Sequence, residues 1–279
     1  MTFVALLLGS VLPVSAQDAP VGTTRPKILR IYREEVKPGR QPAHEKNEAG
    51  WPAALRKANN KGYYLAMSSG NEAWFLNPFP SYAAMEARAK EDDANVALTA
   101  ELDRLWAQDG EMLSKSAPII AELKEELSFR ADWDTAKMRY YGVTILRIQP
   151  GYGRDFEQIR KLVNAAHEKA KVDERWALYE VNTGAPDDTY IFLFPVTSLA
   201  EWDKSEAMHG KEYRDALGED TRARIRAFNQ TAVKYSESML FNFSPKMSYL
   251  PKEWTDRDPD FWTPKPAVAA PAKKDQKKP

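Results

Sequence analysis

The chain has 279 residues, with 43% hydrophobic and 29% charged side chains, 40 basic groups balanced by 40 acidic ones, and no cysteine. Zero net charge excludes a broad basic field for a nucleic-acid backbone, so no nucleic-acid partner is expected. The absence of any thiol excludes disulfides, thiolate zinc sites, cysteine-ligated iron–sulfur clusters and cysteine nucleophiles.

Residues 3 to 14 form a short apolar run, and Val14 and Ala16 stand at the −3 and −1 positions of a small-residue cleavage site. The run is too short to span a bilayer, so residues 1–16 read as a secretory signal with cleavage after Ala16. The expected mature protein is periplasmic or secreted and carries no membrane span. Residues 17–26 are then a linker.

From there the chain repeats itself. Strand-like runs Ile28–Tyr32 and Tyr141–Ile148 each lead into a Pro-Gly turn, Lys37-Pro38-Gly39-Arg40 and Gln149-Pro150-Gly151-Tyr152-Gly153-Arg154. Helical spacing follows, Trp51, Leu55 and Ala58 in one half and Phe156, Ile159, Val163 and Ala166 in the other. Two aromatic hairpins come next, Gly62–Met67 with Ala73–Leu76 and Trp176–Val181 with Tyr190–Phe194. Each runs into a Phe-Pro phrase, at Phe79-Pro80 and Phe194-Pro195, and then into a second helix. Closing strands are expected at Glu125–Phe129 and Met239–Phe243. Residues 251–279, rich in proline and ending in five lysines and one aspartate after Pro264, read as a flexible tail, with Trp254, Phe261 and Trp262 able to tack it to the body.

Strand, helix, strand, strand, helix, strand is the split βαβ order of ferredoxin-like units. The expected fold class is α+β: two tandem ferredoxin-like units, residues 27–130 and 138–250, packed sheet to sheet within one chain or between two copies as a homodimer. In this order of signals the chain resembles the dimeric α/β barrel superfamily, which includes antibiotic-biosynthesis-monooxygenase-like and NIPSNAP-like domains. That resemblance implies a small apolar or aromatic ligand held between the sheets without a cofactor. A monooxygenase-like oxidoreductase of the same fold is the catalytic alternative. Chlorite-dismutase-like and dye-peroxidase-like proteins are similar too, and imply haem on a helical histidine of the second unit, here His167.

Three histidines can be weighed singly. His44, Glu48, Trp51 and Leu55 share one helical face, so His44 is a candidate acid/base group or a metal ligand beside Glu48; no third ligand is visible and no metal is assigned. His167 lies four residues beyond Val163, where the pattern expects an apolar side chain, and is the second catalytic candidate. His209, before Gly210, reads as a helix-end residue. Tyr63, Trp74, Trp176, Tyr179 and Tyr190 are the candidate ligand-binding aromatics, although strand alternation puts only some of them on one face. Gly151-Tyr152-Gly153-Arg154 is read as a repeated turn rather than a phosphate loop, and no nucleotide, nucleophile-elbow or zinc-protease signature is present.

Overall fold

The computed structural model describes residues 20–263 apart from His209, and gives no side-chain environment for residues 205–209. The expected signal segment and the last sixteen residues lie outside the described part.

Eight strands alternate with helices. The first half contains β1 (Ile28–Val36), α1 (Gln41–Glu48), α2 (Gly50–Lys57), β2 (Leu65–Ser69), β3 (Glu72–Phe79), α3 (Tyr82–Ala94), α4 (Val96–Met112) and β4 (Leu113–Leu123). The second contains β5 (Tyr140–Ile148), α5 (Gly153–Ala170), β6 (Ala177–Thr183), β7 (Thr189–Val196), α6 (Leu199–Met208), α7 (Lys211–Leu217), α8 (Glu219–Thr231) and β8 (Val233–Phe243). Two one-turn helices follow, α9 (Lys252–Thr255) and α10 (Pro259–Trp262).

The strands close into one antiparallel barrel in the order β1-β3-β2-β8-β5-β7-β6-β4. Each half contributes four adjacent strands, with its first strand flanked by its third and fourth. The halves join where β2 meets β8, at Met67↔Phe243 and Ser68↔Asn242, and where β4 meets β6, from Ile120↔Thr183 to Leu123↔Tyr179. Edges that would otherwise carry unpaired backbone are thus closed within a single chain.

Alternation along the strands makes two cores on opposite sides of the barrel wall. Inside, Leu29, Ile31, Met67, Trp74, Tyr141, Tyr179, Ile191 and Phe241 meet in one cluster. Outside, α5 and α8 cover Ile148, Trp176, Tyr190 and Phe192, while α2 and α4 cover Ala66, Ala73 and Phe75.

Several segments depart from the sequence expectation. β4 occupies residues 113–123, and Glu125–Leu127 form a 3-10 turn where the closing strand was expected. β1 runs four residues further, to Val36. The expected tail is folded as far as residue 263: Trp254 and Trp262 are buried in the interior cluster, and Trp262 Nε1 donates to the Ala136 carbonyl at 2.8 Å. Part of the expected linker is also tied down, since Arg25 donates to the Gly22 and Trp133 carbonyls and covers the Trp133 ring.

Candidate functional site

The inside of the barrel is filled. The void bordered by Leu29, Tyr63, Leu65, Tyr141, Tyr179 and Trp254 measures only about 50 Å³, room for a water or two but far below the roughly 300–1,000 Å³ of small-molecule sites. Among the described residues this void is too small for the ligand expected between the sheets: Trp74 packs in the interior cluster and Tyr179 borders only the small void, with the tryptophans of α9 and α10 filling the space beside them.

Two large cavities lie outside the barrel wall, beneath helices. One, of about 560 Å³, is bounded by β5, β7, β8 and Trp202. At its edge Gly142 lets the Trp202 ring pack closely on β5, because a Cβ there would come within 2.7 Å of that ring. The other, of about 700 Å³, lies between the outer face of β1–β3 and helices α2–α4. Tyr32, Trp51, Tyr64, Phe75, Phe79 and Trp106 give it an aromatic wall, and Glu34 and Glu48 reach it from below.

Those two carboxylates belong to a buried polar cluster. Alternation turns Glu34 of β1 outward toward the helices, in phase with Arg30 and Tyr32, while Leu29 and Ile31 face the interior. The i, i+4 spacing of His44 and Glu48 brings both to the inner face of α1. Asp109 arrives one turn after Leu105 on the buried stripe of α4. All four are almost fully excluded from solvent. His44 Nε2 lies 2.9 Å from Glu34 Oε2, and Trp51 Nε1 donates to Asp109 Oδ2 at 3.4 Å. Burial pushes the Glu34 carboxyl above its usual range, against the pull of His44. Glu48 is held well above that range, first by burial, then by the facing Asp109 and by Glu34. The site thus sets carboxyls that hold their protons more tightly than usual beside an imidazole, at the end of an aromatic cavity.

His167 has a different setting. Its Nδ1 lies 2.8 Å from the Val163 carbonyl, its Nε2 lies 3.0 Å from Glu174, and the rings of Phe129, Trp176 and Tyr213 enclose it. A haem iron needs an imidazole nitrogen directed at open space. His167 offers neither nitrogen and borders neither large cavity, so the residues present do not fit haem at this position.

The predicted site residues are therefore dispersed. His44 stands in the polar cluster, Tyr63 borders both the interior void and the 700 Å³ cavity, and Tyr179 borders the void. Trp176 and Tyr190 pack with Phe156 under α5, on the opposite side of the wall from Trp74. His209 lies outside the described residues. Glu34 and Asp109 were missed by sequence reasoning. The signals available were the in-phase alternation Arg30, Tyr32, Glu34, Val36 and the helical stripe Leu98, Leu105, Asp109, Met112.

No protein-family model matches the chain, and no curated protein matches it. Solved structures do. A provisionally assigned monooxygenase from Fusobacterium nucleatum subsp. nucleatum superposes with a TM-score of 0.51 at 11% identity, over 78% of this chain and 93% of the other. An anthrone oxidase-like protein gives 0.50 at 13% identity, over 78% and 92%. A mutant chlorite dismutase from Candidatus Nitrospira defluvii gives 0.45 at 12% identity, over 80% and 93%, too loose a match to support an argument. At these identities the likeness concerns the fold alone, a mixed α+β architecture with a closed antiparallel barrel. Among the described residues no helix is long and apolar enough to cross a membrane.

Proposed function

We propose that this protein binds a small, planar, largely apolar molecule in the cavity between β1–β3 and α2–α4, oriented by the buried acids at its inner end. The observation that carries the reading is the coincidence of an aromatic-walled space of about 700 Å³ with Glu34 and Glu48 at its floor. Aromatic walls supply non-directional burial, and a few convergent polar groups fix orientation. A ligand bearing a phenol or enol would meet a proton acceptor in the Glu34–His44 pair. That is the chemistry a monooxygenase-like oxidoreductase of this fold would use, and it is the catalytic form of the same proposal. Under this reading the chain is a duplicated ferredoxin-like unit that closes its barrel alone and is exported behind residues 1–16, its first half adapted for binding and its second for packing.

Titration of the protein with 2-naphthol and with naphthalene, read through tryptophan fluorescence, tests it, because Trp51 and Trp106 both line the space. Saturable binding is expected, tighter for the phenol, and lost in Ala84→Trp, which fills the cavity from α3. Absence of saturation, or unchanged binding by Ala84→Trp, would overturn the reading.

A further inference from the structure

The polar cluster at the floor of the cavity contains more acid than its surroundings can neutralise. Glu34, Glu48 and Asp109 face one imidazole, and among the described residues no lysine or arginine makes an ion pair with any of the three carboxylates. Isolated buried carboxylates are costly, and such groups are normally paired, protonated or coordinated to a metal.

We propose that Glu34, His44, Glu48 and Asp109 form a binding site for one divalent first-row transition cation, such as Mn²⁺, Fe²⁺ or Zn²⁺. One ligand atom from each of Glu34, His44 and Glu48 lies within 4.8 Å of the others. Two donors on opposite sides of a cation, each at about 2.1 Å, lie roughly 4.2 Å apart, so closure onto an ion needs movements of only a few tenths of an ångström. Side-chain rotation supplies that.

Two buried atoms point independently to an occupant. Asp109 is fully excluded from solvent, its Oδ1 receives no N–H or hydroxyl donor, its Oδ2 receives the long bond from Trp51, and its remaining hydrogen-bond partner is the carboxyl of Glu48. The Tyr64 hydroxyl, on the same cavity as Glu34 and Glu48, is buried without a partner. Orphaned buried oxygens of this kind call for a missing group.

The donor set selects the class of ion. Hard cations such as Mg²⁺ and Ca²⁺ prefer all-oxygen shells, soft ions want thiolates, and an imidazole with carboxylates suits Mn²⁺, Fe²⁺ or Zn²⁺. Glu34 and Glu48 also border the cavity, which gives an ion a path in and a bound molecule a path to the ion. The inference stands on these side chains and would survive an empty cavity.

The test uses the full chain without a histidine tag, stripped with EDTA and titrated with Mn²⁺, Zn²⁺ and Co²⁺ by calorimetry, with the metal content measured after gel filtration. One ion per chain is expected, with a Co²⁺ visible spectrum that changes in His44→Ala, and with affinity reduced more than about tenfold in His44→Ala and in Glu48→Gln. Glu48→Gln is nearly isosteric and should fold as the stripped parent does by circular dichroism, so its loss of metal cannot be ascribed to unfolding. Less than about a tenth of an ion per chain in the parent, or equal binding by both variants, would overturn the inference. The naphthol titration on the same stripped sample separates the readings: naphthol binding without metal binding sinks only the cation site, and the converse sinks only the ligand cavity.

Discussion

Replacing Trp262 by alanine tests whether the proline-rich C-terminal segment is part of the barrel. Its ring is 4% exposed and packs against Phe261, Trp254 and Phe243 at centroid distances of 4.7, 6.1 and 6.1 Å. Truncating a buried tryptophan costs about 3–5 kcal/mol through lost burial and the cavity left behind. The substitution also removes the Nε1 donor to the buried Ala136 carbonyl, and an orphaned acceptor adds about 1–3 kcal/mol. The two effects share one site and do not fully add, so about 4–6 kcal/mol is expected. That is a large share of the roughly 5–15 kcal/mol that holds a folded domain together. Urea unfolding followed by circular dichroism should show the midpoint displaced accordingly, and the melting temperature should fall by roughly 10–20 °C. Trp262→Phe keeps most of the buried area and should lose only about 1–2 kcal/mol beyond wild type. Trp106→Ala, on a side chain 45% exposed at the cavity mouth, should stay within about 1 kcal/mol. If Trp262→Ala also falls within about 0.5 kcal/mol, residues 251–263 are an appendage and the plugged interior is wrong.

Two further outcomes follow from local geometry. Gly184 has φ +89°, and a Cβ there would meet the Pro118 carbonyl oxygen at 2.0 Å across the β4–β6 seam, whereas Gly39, at φ +79°, has nothing within 4 Å; Gly184→Ala should cost about 3 kcal/mol or more and Gly39→Ala about 1 kcal/mol, measured by the same urea unfolding. In the metal-stripped chain, the Glu48 carboxyl holds its proton more tightly when folded than when unfolded, so its contribution is complete below the ordinary carboxylate range and drains away as pH rises through its elevated folded-state value. Glu48→Gln should flatten that decline in unfolding curves taken across the range, and a parallel decline in the variant would remove Glu48 as its cause.

The sequence was most informative where periodicity and turns agreed. The Pro-Gly turns, the apolar stripe of α5 and the aromatic hairpins all lie where their patterns place them, because each satisfies a local rule that the tertiary structure also needs. Misreadings came where a long-range partner decides. Residues 113–118 look like a polar loop with a proline, yet pair with β1 along their whole length; β6 joins only from Ile120, so Pro118 sits where one strand edge is free. Pro251 and Pro259 stand in a composition that suggests a flexible tail. Instead they open α9 and α10, since proline is well placed at a helix start, and what those turns deliver is a pair of tryptophans whose burial depends on a barrel end assembled from both halves.

The polar cluster was half legible for a similar reason: His44 and Glu48 announce each other at i, i+4, but Glu34 and Asp109 come from elements 10 and 61 residues distant from these. The duplicated architecture gives the cluster an equivalent place in the second half for comparison. β1 and β5 are both nine-residue strands whose register with β4 and β8 shifts before the last residue, so Glu34 stands where Leu146 stands. After the Pro-Gly turns, the His44 amide bonds the Arg40 carbonyl as the Phe156 amide bonds that of Tyr152, which aligns His44 with Phe156 and Glu48 with Arg160. In the second half, Leu146 and Phe156 belong to an ordinary apolar core and Arg160 lies over Trp176 and Phe192. The same backbone therefore takes hydrocarbon at two of these three positions and an arginine stacked on aromatic rings at the third. Two carboxylates and an imidazole there cost stability that apolar packing would supply, and that cost is what the proposed sites at the cavity floor account for.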